Sequence, residues 1–289
     1  MRSALFVPAD SEKKMARGLE CGADCLFVDL EDSVAANAKP AARQMARDFL
    51  LHARRRASRP LLYVRVNALD SGMTDADLDV VMAGGPDGVL LPKSQGGCDV
   101  QHLSAKLAVR EAAFGLPDGA TQIACVATET ASAIFGLSSY KGASRRLAAL
   151  TWGAEDLSAD LGAETNRLPD GAHAPPYQLA RNLALFAAVA AGAQPLDTVY
   201  PNFRDEAGFE VECLAARRDG FTGKMAIHPA QVPVINAIFT PPAAEIARAR
   251  AIVAAFEHNP DKGVIALEGE MLDKPHLERA RKLLARARE

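Results

Sequence analysis

A (β/α)8 TIM barrel is the fold class this sequence predicts, and three observations carry the prediction. Eight short apolar runs rich in Val, Leu and Phe recur up to residue 229. Segments of helical periodicity separate them, and strands buried on both faces and alternating with helices imply a parallel sheet. The first run also lacks the Gly-x-Gly-x-x-Gly turn of an open dinucleotide-binding sheet, which favours closure of the eight units.

Taken in order, the runs are ALFVPA (4–9), CLFVDLE (25–31), LLYVRVN (61–67), GVLLPK (88–93) and QIACVATE (122–129), then LAALTWGAED (147–156), PLDTVY (195–200) and GKMAIHP (223–229). Amphipathic helices are expected at 11–22, 39–56 and 176–192, among others. After residue 239 the pattern changes to a helix within TPPAAEIARARAIVAAFEHNP, a short extended element in KGVIALEGEMLDKP and a last helix over roughly 274–288. The expected organisation is a barrel over 1–239 and a C-terminal helical extension over 240–289, serving as a lid or an oligomer contact.

Composition excludes several function classes. With 49% hydrophobic residues the chain can bury a sizeable core, and a formal charge of −3 gives no long-range pull toward nucleic acid or acidic membranes. No stretch approaches the ~20 apolar residues a membrane span needs, and the N-terminal run is too short for a signal peptide. Five scattered cysteines without Cys-x-x-Cys spacing read as small buried hydrophobes in a reducing compartment rather than a zinc site. A cytoplasmic protein with no nucleic-acid and no membrane partner is expected.

Barrel active sites lie at the C-terminal mouths of the strands, so the polar residues that end the runs are the candidates. They are Asp29, Glu31 and Asp32 after the second run, Arg65 and Asn67 after the third, and Lys93 after the fourth. Glu129 ends the fifth, Glu155 and Asp156 the sixth, and His228 the eighth. One such acid alone would be an ordinary helix cap or salt-bridge partner; several on one mouth are not. Mg²⁺ takes one or two carboxylates plus water and substrate oxygens, a need that Glu129 and Asp156 meet from neighbouring strands. His228 is equally well read as a loop hydrogen-bonding residue, and Lys93 as a rim salt bridge.

At these residues the chain resembles the citrate lyase beta-subunit and malyl-CoA lyase (HpcH/HpaI aldolase) family over nearly its full length. RSALFVPA, CLFVDLEDSV with Lys39 and Arg43 downstream, YVRVNAL, GVLLPKS, ATETASAIFGL, WGAEDLSADLG and GKMAIHPAQVPVINAIFTP carry the likeness. The resemblance implies a Mg²⁺-dependent lyase that cleaves or forms a 3-hydroxyacyl-CoA, with acetyl-CoA and a 2-oxo acid as the other side of the reaction. It implies Glu129 and Asp156 as metal ligands and Arg65 as the cation for substrate carboxylate or enolate oxygen. Asp29, Glu31 and Asp32 would be the acidic cluster that orients metal-bound waters, with Glu31, Asp32 and Glu129 also contacting the substrate. Arg2, Lys13 and Lys14 would contact the nucleotide end of coenzyme A. Asp273, in EGEMLDKP, would be a lid aspartate used as acid/base across a subunit boundary in a homotrimer or hexamer. Thr128 departs from the family's usual Ile before the metal-ligand Glu, adding a hydroxyl there. Asp273 also stands just before Pro275 and a helix, which is good N-cap chemistry.

Other readings stay open. A beta-like subunit acting on an acyl-carrier-protein thioester is one. A metal-dependent pyruvate aldolase is another, although that group uses a histidine after the second strand where this chain has Asp32. A non-catalytic barrel that binds CoA or acyl carrier within a larger complex is the third.

Overall fold

The computed structural model describes residues Met1–Ala287. Eight strands pair in parallel and in chain order, and β8 pairs with β1 to close a barrel. They are β1 (Ser3–Pro8), β2 (Cys25–Asp29), β3 (Leu61–Arg65), β4 (Gly88–Leu91), β5 (Gln122–Val126), β6 (Leu147–Thr151), β7 (Gln194–Asp197) and β8 (Gly223–Ala226). Each lies within one of the eight apolar runs or overlaps it. Asp29 and Arg65 are the last residues of β2 and β3, and the other polar residues that end the runs fall just past their strands, at the C-terminal mouth.

Helices follow the strands in turn: α1 (Glu12–Gly18), α2 (Lys39–Ala53), α3 (Thr74–Val81), α4 (Gly97–Phe114) and α5 (Ala131–Gly136). Two helices, α6 (Glu155–Leu161) and α7 (Pro175–Ala191), fill the long connection from β6 to β7. Then come α8 (Glu206–Asp219) and α9 (Gln231–Phe239). α2 shows why these segments are helical. Ala42, Ala46, Leu50 and Ala53 recur at helical spacing and are fully buried, and Pro40 sits in its first turn, where a missing N–H costs nothing.

Strand parity decides what fills the barrel. Ala4, Cys25, Phe27, Tyr63, Leu90, Ala124, Val126, Ala149, Leu196 and Met225 form one inner cluster. Small alanines on β1, β5 and β6 leave room for Phe27 and Tyr63, whose rings meet edge-on at 5.9 Å. Gly88 is required beneath them, because a Cβ there would lie 2.2 Å from the Tyr63 ring. The same parity that points Phe27 and Tyr63 inward points Asp29 and Arg65 inward two residues later, at the mouth.

The chain divides into two compact units, Met1–Asn236 and the segment from Ala237 onward. The second holds α10 (Ala243–Glu257), a hairpin of β9 (Val264–Leu267) and β10 (Glu270–Asp273), and α11 (Lys274–Arg286). Glu268 and Gly269 join the strands with positive φ values of 52° and 84°, as a primed two-residue turn requires. Ala249, Ile252, Phe256, Ile265, Leu272 and Ala280 make a small core of its own. No helix among the described residues is long and apolar enough to cross a membrane. All five cysteines are free thiols.

Candidate active site at the barrel mouth

Asp29 and Arg65 occupy matched positions on adjacent strands. The guanidinium donates from Nε to Asp29 Oδ1 at 2.7 Å and from Nη2 to Oδ2 at 2.6 Å, a bidentate fork. Its Nη1 lies 2.9 Å from Glu31 Oε2, and its carbon lies 4.9 Å from the Phe6 ring centroid. Three of its five N–H groups are thus directed at carboxylates, and Nη1 also lies 3.9 Å from Asp32 Oδ2. Burial pulls the Asp29 carboxyl upward, but the Arg65 fork outweighs it and holds Asp29 below the usual carboxylate range.

Lys93 is the second cation. Its Nζ lies 2.5 Å from Glu31 Oε1, 3.6 Å from Asp32 and 3.4 Å from Asp156 Oδ1. Burial would lower its affinity for a proton, but those three carboxylates raise it well above the ordinary lysine value. Its backbone is left-handed, with φ of 52°, a conformation uncommon for a residue with a side chain. That turn aims the Lys93 amide at Glu129 Oε2, to which it donates.

Glu129, just past β5, is 4% exposed. Its carboxyl is pushed up to about 8, first by burial and then by Asp156 and Glu31, although the Lys93 amide opposes the shift. Glu31 is likewise raised, mainly by burial, against the pull of Arg65 and Lys93. Gly153 leaves Glu129 its room, since a Cβ at that position would sit 2.8 Å from Glu129 Cγ. The Thr128 hydroxyl has a structural use: it accepts a hydrogen bond from the Gly153 N–H at 3.2 Å, tying the end of β5 to the loop after β6. Asp156, in the first turn of α6, is only partly buried.

The mouth thus gathers five carboxyl groups, Asp29, Glu31, Asp32, Glu129 and Asp156, around two cations. The donor chemistry fits a hard divalent ion: Glu129 in the loop after β5 and Asp156 at the start of α6 offer oxygen, and the excess of negative charge favours a cation beside them. No group of three or more His, Cys, Asp or Glu among the described residues forms a complete metal cage. Two carboxylates with water and substrate are what Mg²⁺ commonly uses. A cavity of about 370 Å³ opens beside the cluster, lined by Glu31, Asp32, Lys39, Asn67, Met73 and Lys93 among others.

Of the residues singled out in the sequence, Glu31, Asp32, Arg65, Glu129 and Asp156 therefore converge, with Asp29 and Lys93. Lys13 and Lys14 are exposed on α1, outside this cluster. Arg2 begins at the opposite end of β1, where its guanidinium and amide bind Asp24; it is not at the mouth. His228 uses Nδ1 to accept from the Ala230 amide at 3.2 Å, and its ring stacks on Phe203 at 4.8 Å. Asp273 lies in the second unit at the start of α11, 2.5 Å from His276 Nδ1. His276 holds the Asp273 carboxyl below its ordinary value.

One set of residues was not readable as a site. Lys39, Asn67, Asp77 and Arg43 form a buried chain behind the β2–α2 loop. A lysine opening a predicted helix gives no sign that it turns inward; the hints were Asn67 at a strand end and the place of Lys39 and Arg43 in the family resemblance.

Residues 2–229 match the family model described as HpcH/HpaI aldolase/citrate lyase. The chain is 38% identical over 288 residues to the citrate lyase subunit beta of Escherichia coli K12, covering 99% of this chain and 93% of that one. It is 33% identical over 288 residues to the (3S)-malyl-CoA thioesterase of Cereibacter sphaeroides, covering 99% and 94%. Among solved structures, protein CitE from Mycobacterium tuberculosis in complex with magnesium, acetoacetate and coenzyme A superposes with a TM-score of 0.78. It is 33% identical, with 100% of this chain and 98% of that one covered.

Proposed function

The chain belongs to the HpcH/HpaI aldolase/citrate lyase family, and from that premise we propose that it is a Mg²⁺-dependent carbon–carbon lyase acting on a 3-hydroxyacyl-CoA such as malyl- or citramalyl-CoA. The observation that carries the reading is the Asp29–Arg65 fork set in the inner layer of the mouth, beside an excess of carboxylate. The magnesium and coenzyme A in the related CitE structure support it.

In this reading Glu129 and Asp156 hold Mg²⁺, which would act as a Lewis acid on the oxygens of the substrate's hydroxyl and carboxylate. Arg65 receives the carboxylate of the 2-oxo acid portion, with Asp29 fixing the plane of the fork. Glu31 and Asp32 orient metal-bound waters and line the substrate's approach, beside Lys93. In cleavage the substrate hydroxyl passes its proton to water at the mouth, and Asp273, entering in its acid form, regains a proton from water after each turnover. The bond between the hydroxyl-bearing carbon and the thioester α-carbon then breaks, leaving its electron pair on the thioester as an enolate. Asp273, supplied from a neighbouring copy in a homotrimer or hexamer, protonates that carbon to give acetyl-CoA and the 2-oxo acid. In synthesis it takes the same proton back from the acetyl methyl group. Lys13 and Lys14 are assigned to the phosphates of coenzyme A.

The test is incubation with malyl- and citramalyl-CoA and Mg²⁺, following acetyl-CoA and 2-oxo acid release. Asp273→Asn is expected to abolish cleavage while Mg²⁺ and oxo-acid binding persist. Unchanged turnover in that variant would remove Asp273 from the mechanism. The thioesterase relative favours a second reading, in which the product is free coenzyme A and malate. Appearance of free thiol without 2-oxo acid identifies it. The citrate lyase subunits favour a third, a beta-like subunit using a carrier-protein thioester. Turnover of the acyl carrier substrate, with none of the CoA thioester, identifies that one.

A further inference from the structure

We infer that Lys39 is a positioning residue for the acidic loop of the mouth, acting from behind the loop through a buried chain that ends at Arg43. The inference rests on the reading of the mouth as a Mg²⁺ site.

Lys39 opens α2 yet is 7% exposed. Its ammonium donates to the carbonyls of Leu30 at 2.7 Å and Glu31 at 2.8 Å, and to Asn67 Oδ1 at 2.8 Å. An ammonium has three N–H groups, so its capacity is filled. Asn67 is oriented in turn by Asp77, whose Oδ2 accepts from both the Asn67 amide and its Nδ2 at 2.7 Å. Asp77 Oδ1 accepts from Arg43 Nε at 2.7 Å. Asn67 Nδ2 also donates to the Leu30 carbonyl at 3.2 Å, so the loop is held from two donors.

A buried cation is a costly way to pin two carbonyls, since desolvation of the charge must be offset. Placement explains it. Leu30 and Glu31 lie between Asp29, which holds Arg65, and Asp32, which faces Lys93. The Glu31 backbone is fixed by Lys39 while its carboxylate is fixed by Arg65 and Lys93 on the other side. Lys39 therefore sets the direction in which Glu31 and Asp32 leave the backbone. Its positive charge also lies behind a mouth with surplus negative charge. A helix start needs neither property, and a neutral side chain would satisfy it.

The experiment is Mg²⁺ titration by calorimetry with the full-length wild type, Lys39→Met, Lys39→Arg and Arg43→Gln, alongside kcat and KM for the thioester and thermal melts. Outer partners of metal sites typically govern affinity by roughly 10–100-fold. Lys39→Met is expected to lose Mg²⁺ affinity within that range and to lower kcat, with a smaller rise in thioester KM. Lys39→Arg should recover part of both. Arg43→Gln, at the outer end of the chain, should show a smaller loss in the same direction. It decides the matter if Lys39→Met does not fold. Folded variants with wild-type Mg²⁺ affinity and kcat overturn the role of Lys39 alone. Absence of Mg²⁺ binding by the wild type overturns the metal reading of the mouth and the role of Lys39 with it.

Discussion

Two clusters of buried charge share this barrel, and their difference separates scaffold from site. One lies between the sheet and the helices. Lys224 of β8 is fully buried, with its ammonium 2.6 Å from Asp197 Oδ2 on β7 and 2.8 Å from Glu212 Oε1 on α8. Asp197 also accepts from Trp152 Nε1, and Arg181 and Arg167 complete the set against Asp197, Asp219 and Glu212. Cations and carboxylates are matched there, and Asp197 is held below its ordinary value by Lys224 and Arg181 despite burial. The other cluster is the mouth, where five carboxyl groups share two cations and Glu129 is driven upward instead. A matched cluster is complete in itself. An unmatched one, opening on a cavity, is built for something that arrives.

The contrast can be broken most sharply at Arg65. Arg65→Lys keeps the charge but loses the planar fork, and kcat/KM is expected to fall by about 10²–10³ with the melting temperature little changed. Steady-state kinetics beside a thermal melt check it; an unchanged kcat/KM would take Arg65 out of the reaction.

Lys224→Met should do the reverse. Removing one partner of a buried pair typically costs about 3–5 kcal/mol, and the low end is expected because Arg181 and Trp152 remain on Asp197. Denaturant unfolding would measure the loss, with kcat per folded molecule unchanged. A stable but inactive variant would move this cluster into the site.

The smallest effect is a pH dependence of the scaffold. His173 packs its ring on Trp152 at 4.9 Å. Its basicity is lowered to about 4, first by burial and then by Arg167 and Lys224, with Glu212 and Asp197 opposing. Its folded pKa is below that of an unfolded histidine, so its contribution is fully present above about 6.5 and is lost as pH falls toward about 4. Urea midpoints should decline over that window in the wild type and decline less in His173→Asn. Identical profiles would show that His173 is not the group responsible.

Much of this was legible in the sequence, for a physical reason. Strands buried on both faces must be apolar throughout, so eight runs marked eight strands, and the acids that ended them fell at the mouth. Even the Asp29–Arg65 fork follows from parity, since each stands two residues beyond an inward aromatic. What was hidden depends on pairing across the fold. Lys224 lies inside an apolar run and is tolerable there only because Asp197 and Glu212 meet it. Lys39 looks like any solvated helix start until Asn67 and two carbonyls surround it. The first helix between β6 and β7, α6, was obscured because it is only seven residues long. The tail's extended element became a hairpin through the turn at Glu268 and Gly269, a left-handed pair that hydropathy does not register.

The left-handed backbone at Lys93 has a consequence in the language of codons. Lysine codons stand a single base from those of asparagine, which tolerates positive φ better than most residues with a side chain; glycine is two bases away. Among the single-base changes at position 93, asparagine therefore keeps this backbone most easily. That change keeps the turn and the amide that serves Glu129, and it deletes the ammonium shared by Glu31, Asp32 and Asp156. A chain carrying it would keep its architecture while its mouth lost a counter-charge to Glu31, Asp32 and Asp156.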